Sequence, residues 1–163
     1  MTTEAPRFSE ATVAEYRALL TRYPQRRAAL MPTLWLAQRE FGWLSLPALE
    51  YVAELMELPL AWVTSVASFY TMYWKEPKGR WHIQVCRNLS CALRGAEDLL
   101  HALEARLGIH DGERTADGKF SLEEVECLAS CGTAPVLQVN NTEYHENLTV
   151  ARALELIERL ASP

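Results

Sequence analysis

Residues 80–91 read RWHIQVCRNLSC. Trp81, Ile83 and Val85 alternate with Arg80, His82 and Gln84, which is the period of a strand with one apolar face. Everything before this stretch carries helical spacing, so the fold changes character here. The strand runs straight into two cysteines, Cys86 and Cys91. The only other two, Cys127 and Cys131, lie in residues 125–135, VECLASCGTAP.

Upstream, four helices are expected. Ser9 and Thr12 are candidate N-caps, with Glu15 completing a capping-box pattern after Thr12. Val13, Tyr16, Leu19 and Leu20 then share a face, and Pro24 ends the helix. Leu30, Leu34, Ala37 and Phe41 mark a second helix closed by Gly42, with Pro32 predicting a break near Met31. Ser45 and Pro47 open a third, with Leu49, Val52, Ala53 and Met56 inward. Pro59 opens a fourth, from about Leu60 to Phe69, and Pro77, Lys78 and Gly79 read as a linker. Residues 1–77 are therefore expected to form a helical bundle and residues 78–163 a separate α/β domain, an α+β chain overall.

Downstream of the first strand, "CALRGAEDLLHALEARLG" reads as one helix, with Leu93, Ala96, Leu100, Leu103 and Leu107 inward. A loop holding Gly112 and Gly118 leads to a second strand, about Phe120 to Glu126. "VLQVNN" and "TEYHE" form a hairpin turning at Asn140 and Asn141. A last helix carries Ala153, Leu156, Ile157 and Leu160. A right-handed crossover makes the first two strands parallel, with the hairpin extending the sheet and helices covering its faces. Both cysteine pairs then follow a strand, and parallel neighbours would gather all four sulfurs at one end.

Composition narrows the function. The chain has 163 residues and a formal net charge of −5, which argues against binding nucleic acid. The first 77 residues carry seven basic and eight acidic groups, and the remainder nine and thirteen, so the cysteine-bearing half is the acidic one. The N-terminus has no apolar core and an early Glu4, so it is not expected to be a secretory signal. Leu58 to Trp74 is the longest uncharged run, 17 residues. It falls short of a spanning helix and contains Pro59 and several hydroxyl residues, so membrane insertion is not expected. A cytoplasmic location follows, and reducing compartments disfavour structural disulfides.

The thiols are spaced C-x4-C, then 35 residues, then C-x3-C. Neither pair is C-x-x-C, which disfavours a dithiol exchange site. Four thiolates can hold one zinc ion tetrahedrally or a [2Fe–2S] core with two on each iron, and the spacing leaves both open. Ser90, Ser130, Gly132 and Thr133 are small enough to let backbone N–H groups approach sulfur. Glu123, Glu124 and Glu126 precede the second pair, and their summed charge would push a cluster's potential low. The chain has neither G-x-G-x-x-G nor a P-loop, so a dinucleotide site on it is not expected. Alternation sets His82 opposite Trp81, Ile83 and Val85 as a structural histidine. His101, His110 and His145 read as surface, and Arg87 and Arg94 as flanking charges. The run from Phe69 to Trp74 fits either a core between the two domains or a partner-facing patch.

Four stretches in order carry a family resemblance: "ASFYTMY", "HIQVCRNLSCALRGAE", "GKFSLEEVECLASCGTAPVLQVN" and "YHENLT". Together they resemble the 24 kDa subunit family of respiratory complex I in its bacterial form. These are the thioredoxin-like [2Fe–2S] subunits of the electron-input module of NADH:quinone oxidoreductase. The resemblance implies a thioredoxin-like domain over residues 78–163, with Cys86, Cys91, Cys127 and Cys131 as the cluster ligands. Ala129 departs from the family, which usually has glycine there. The implied role is electron transfer as a subunit of an NADH dehydrogenase enzyme. The implied partner is the flavin-bearing, NADH-binding subunit, which would hold FMN and NADH. The implied setting is the peripheral arm of a larger respiratory complex at the cytoplasmic face of the inner membrane. The equivalent diaphorase subunit of an NAD-linked hydrogenase or formate dehydrogenase shares these motifs. A four-thiolate zinc scaffold is the remaining alternative.

Overall fold

The structure is a computed structural model that describes residues 6–162. Glu4, on which the reading of the N-terminus rests, and Pro163 lie outside the described residues. The chain divides into two compact units between Pro77 and Lys78.

The first unit contains α1 (Glu10–Leu20), α2 (Leu30–Phe41), α3 (Leu46–Met56) and α4 (Leu60–Phe69). Each spans 10 to 12 residues, too short to be stable alone, so mutual burial holds them. Leu34, Ala37, Val52, Met56, Val63 and Tyr73 form their shared core. Ser9 caps α1 by accepting from the Thr12 amide at 3.3 Å. The expected Thr12–Glu15 box does not form: the buried Thr12 hydroxyl donates to Glu40, and Glu15 pairs with Arg39 at 2.6 Å. Pro32 causes no break, because it occupies the first turn of α2, where a missing N–H costs nothing. A 3₁₀ turn, Arg26–Ala29, precedes it. The aromatic run divides, with Tyr73 fully buried and donating to the Met31 carbonyl while Phe69 is 79% exposed. Among the described residues no helix is long and apolar enough to cross a membrane.

The second unit is built on a four-stranded sheet. It uses β1 (Trp81–Cys86), β2 (Phe120–Val125), β3 (Leu137–Val139) and β4 (Glu143–His145), in the order β2-β1-β3-β4. β1 and β2 are parallel neighbours, while β3 pairs antiparallel with both β1 and β4. The hairpin turns at Asn140 and Asn141 with φ of 52° and 62°, a conformation asparagine adopts at low cost. Between β1 and β2 the expected single helix is two. α5 (Leu89–Leu93) ends before Gly95, whose φ of 91° breaks the chain direction, and α6 (Ala96–Leu107) follows. Leu93, expected inward, is 79% exposed because it lies on the short α5 instead of on α6.

Register assigns the two sheet faces. Ile83, Leu122, Val85, Leu137 and Val139 sit across from one another and share one core with Leu99 and Leu103 of α6. Leu156 and Ile157 of α7 (Val150–Ala161) join the same core. Both long helices therefore cover a single face, in place of the expected coverage of both. The opposite face carries His82, Gln84, Ser121 and Gln138, all buried. His82 is fully buried, its ring nitrogens 2.8 Å from Ser121 Oγ and 2.9 Å from a Glu123 oxygen. A buried imidazole with both nitrogens bonded is structural.

Of the expected linker residues, Pro77 is exposed, whereas Lys78 and Gly79 are packed. Lys78 lies 3.5 Å from Glu123. The Gly79 amide donates to Ser121 Oγ at 2.9 Å, and a Cβ on Gly79 would lie 2.3 Å from the Phe120 carbonyl carbon. Glycine is required here for close backbone approach to β2. Gly79→Ala is expected to destabilise the second unit by about 1–3 kcal/mol, as overpacking against an immovable backbone does. Denaturant unfolding of the purified variant checks this, and an unchanged midpoint contradicts the packing described.

Candidate metal centre

The parallel pairing of β1 and β2 builds the site. Cys86, the last residue of β1, lies opposite Val125, the last of β2, so both strands release their chains at one sheet edge. The Arg87 amide extends the pairing by donating to the Val125 carbonyl at 2.9 Å. Asn88 then caps α5, its side chain accepting from the Leu89 amide at 2.8 Å. That turn carries Cys91 back beside Cys86. Both thiols are 2% exposed and packed with Ala96, Ala134 and Val136. Cys91 thus sits on a short helix.

Cys127 follows β2 by two residues, and Cys131 opens a 3₁₀ turn, Cys131–Thr133. Their sulfurs are 3.5 Å apart, and both residues are exposed. The Ala129 amide donates to Cys127 Sγ at 3.3 Å. α5, which carries Ser90 and Cys91, packs against the 3₁₀ turn that Cys131 opens, so the two segments meet.

Thiol titration reports the same crowding. Burial first, then its bond with Cys86, pushes the Cys91 thiol up to about 11, with a further contribution from Cys131. Cys131 is raised chiefly by its bond with Cys127, and Cys86 adds to the effect. Cys91 and Cys131 resist ionising in part because a neighbouring thiol would carry like charge beside them. A polycation at their centre reverses that sign and releases the protons. Among the described residues no three Cys, His, Asp or Glu side chains converge as a cage for one ion. The thiols stand as two pairs, Cys86 with Cys91 and Cys127 with Cys131, a donor set that a four-thiolate zinc ion and a [2Fe–2S] core can both use.

The acidic residues expected to burden the site with charge are paired. His82, then Lys78, holds the Glu123 carboxyl below the usual carboxylate range against the opposing effect of burial. Arg87 lies 3.4 Å from both Glu124 and Glu126. Arg87 is therefore a partner of its own chain's carboxylates. His110 lies 3.4 Å from Glu104 and His145 3.0 Å from Glu143.

Sequence reading missed the support of the second cysteine segment. The Asn147 amide donates to the Thr133 carbonyl at 2.7 Å, and the Leu148 amide to Pro135 at 3.1 Å. The available signal was "YHENLT" itself, a polar junction between a hairpin and an amphipathic helix.

Ala129 adopts φ of 60°, the left-handed region that penalises a Cβ by about 1–2 kcal/mol. Its departure from glycine is therefore a backbone strain with the N–H···S bond retained. Ala129→Gly is expected to raise stability by roughly 0–1 kcal/mol, since strain relief exceeds the added freedom of the unfolded chain. Thermal unfolding measures this, and a loss of more than about 1 kcal/mol contradicts it.

The sequence profile of the thioredoxin-like [2Fe–2S] ferredoxin family matches residues 16–161. The chain is 50% identical over 144 residues to an E subunit of the NADH-quinone oxidoreductase of Rhizobium meliloti (strain 1021), covering 88% of this chain and 85% of that one. It is 43% identical over 156 residues to the E subunit of the NADH-quinone oxidoreductase of Rickettsia bellii (strain RML369-C), covering 94% and 93%. Among solved structures, an NAD+-reducing [NiFe]-hydrogenase in its H2-reduced state superposes with a TM-score of 0.72 at 26% identity, over 83% of this chain. This chain spans only 23% of that hydrogenase chain. With the profile matched from α1 to α7, the chain belongs to the thioredoxin-like [2Fe–2S] ferredoxin family.

Proposed function

We propose that the chain is the electron-transfer subunit of the NADH dehydrogenase module of a NADH:quinone oxidoreductase. It holds one [2Fe–2S] cluster through Cys86, Cys91, Cys127 and Cys131. The observation that carries this reading is that β1 and β2 end together and that α5, bearing Cys91, packs against the turn bearing Cys131. The NADH-quinone oxidoreductase relatives at 43–50% identity, matched over most of both chains, supply the enzyme context.

The four residues divide the work of binding. Cys86 and Cys91 are buried among alanine and valine side chains, which exclude water from one side. Cys127 and Cys131 are exposed, so the redox group lies close to the surface that a partner can approach. The Ala129 amide donates to Cys127 Sγ and stabilises thiolate charge there, and nearby Ser90 favours the Cys131 thiolate. When bound, the cluster supplies one-electron exchange.

The partner in this reading is the flavin-bearing subunit of the same complex, which oxidises NADH. FMN and NADH sit on that subunit, and the chain works in the peripheral arm at the cytoplasmic face of the membrane. The diaphorase role in an NAD-linked hydrogenase is a second reading, favoured by the hydrogenase superposition. It ranks below the first because identity there is 26%, against 43–50% for the quinone oxidoreductase relatives.

Anaerobically isolated protein is expected to contain about two irons and two sulfides per chain and to give an EPR signal on reduction. Cys131→Ala is expected to lose or severely destabilise that signal. One zinc per chain without visible absorption, or a wild-type spectrum in the variant, contradicts the assignment. Subunits co-isolated with the native protein separate the quinone oxidoreductase from the hydrogenase.

A further inference from the structure

The junction between β4 and α7 holds a carboxylate that neither the ligand set nor the sheet core uses. Glu146 stands between a strand that ends at His145 and a 12-residue helix capped by Thr149. One of its oxygens accepts from the Ser130 hydroxyl and, at 2.7 Å, from the Thr133 hydroxyl. Those two hydroxyl oxygens are themselves 2.7 Å apart. Ser130 immediately precedes Cys131, and Thr133 closes the 3₁₀ turn that Cys131 opens.

Three oxygens thus crowd together with only two protons among them. Such a cluster is stable when one member accepts without donating, and the carboxylate is that member. Ser130, then Thr133, holds the Glu146 carboxyl below its usual range, so it stays ionised in that role. Backbone bonds run beside it, from the Asn147 amide to Thr133 and from the Leu148 amide to Pro135. The turn carrying Cys131 is otherwise largely exposed, and these bonds tie it to the β4–α7 junction.

We infer that Glu146 is a positioning residue that latches the Cys127–Cys131 segment by accepting from Ser130 and Thr133, presetting Cys131 for cluster binding. The inference rests on the cluster reading for its purpose, but the latch itself belongs to the metal-free chain. Because both hydroxyls reach the same oxygen, an amide oxygen can replace it. The decisive comparison is therefore Glu146→Gln, which keeps the acceptor and removes the charge, against Glu146→Leu, which removes both.

In the full-length metal-free chain, amide exchange at Thr133, whose N–H donates to the Ser130 carbonyl at 3.1 Å, is the first readout. It is expected to accelerate about tenfold in Glu146→Leu and by less than about threefold in Glu146→Gln. Exchange at Ile83 and Leu137 in the sheet stays unchanged in both. In the iron-loaded chain, iron release to a chelator should follow the same order, and the reduced EPR line shape should shift in Glu146→Leu and return in Glu146→Gln. A Ser130→Ala, Thr133→Val double variant provides a second route to the same test. On that background Glu146→Leu should add no further acceleration.

Equal effects of the leucine and glutamine variants overturn the inference, as does unchanged Thr133 exchange in both. A full additional effect of Glu146→Leu on the double variant also overturns it. A wild-type chain that takes up no iron, yet shows the exchange pattern described, supports the latch and overturns the cluster reading alone.

Discussion

The parallel pairing of β1 with β2 is the constraint on which the site depends. Two segments separated by 35 residues in sequence must deliver four sulfurs to one place. Parallel neighbours do this because their C-terminal ends coincide, and the Cys86–Val125 register leaves no offset between them. An antiparallel arrangement of the same strands would send the two thiol pairs to opposite ends of the sheet. The crossover through α5 and α6 makes the parallel pairing possible, and the common core of α6, α7 and the sheet holds it. Gly79 admits the incoming chain close against β2, so the approach to the first strand belongs to the same construction.

The two thiol pairs are held by different physics. Cys86 and Cys91 are fixed by burial, one at a strand end and the other on a capped helical turn. Cys127 and Cys131 are exposed and held by the Ala129 amide, by α5 packed against their turn and through the hydroxyls bound by Glu146. A site with one sheltered and one open side suits electron exchange across a surface. Shelter lowers the local dielectric, while openness shortens the path to a partner. Around it, Arg87 and Lys78 answer the nearby glutamates, which moderates the negative field that an acidic half-chain would otherwise impose.

Much of this is legible in the sequence where local chemistry decides geometry. Ser9, Gly42 and Ser45 mark helix ends because their capping is a short-range event. The alternation from Trp81 to Val85 and the Asn140–Asn141 turn define strand faces and the hairpin for the same reason. What escapes is long-range. Glu40 takes Thr12 from across 28 residues, which removes it from the local box that its neighbours advertise. Gly95 reads as a helical glycine, yet its left-handed φ separates α5 from α6 and redirects the chain between them. The pairing of Glu123 with His82 depends on strand adjacency, and Glu146 on where the final junction falls. Neither has a signature in its own segment.

In the proposed centre, four thiolates from two strand ends enclose a pair of bridged irons. Iron K-edge absorption on the anaerobically isolated full chain is the sharpest test of that arrangement. An all-sulfur coordination shell at every iron, with a second iron as a close neighbour, is the expected result. A spectrum without an iron neighbour, or with nitrogen or oxygen in the shell of the wild-type protein, contradicts it.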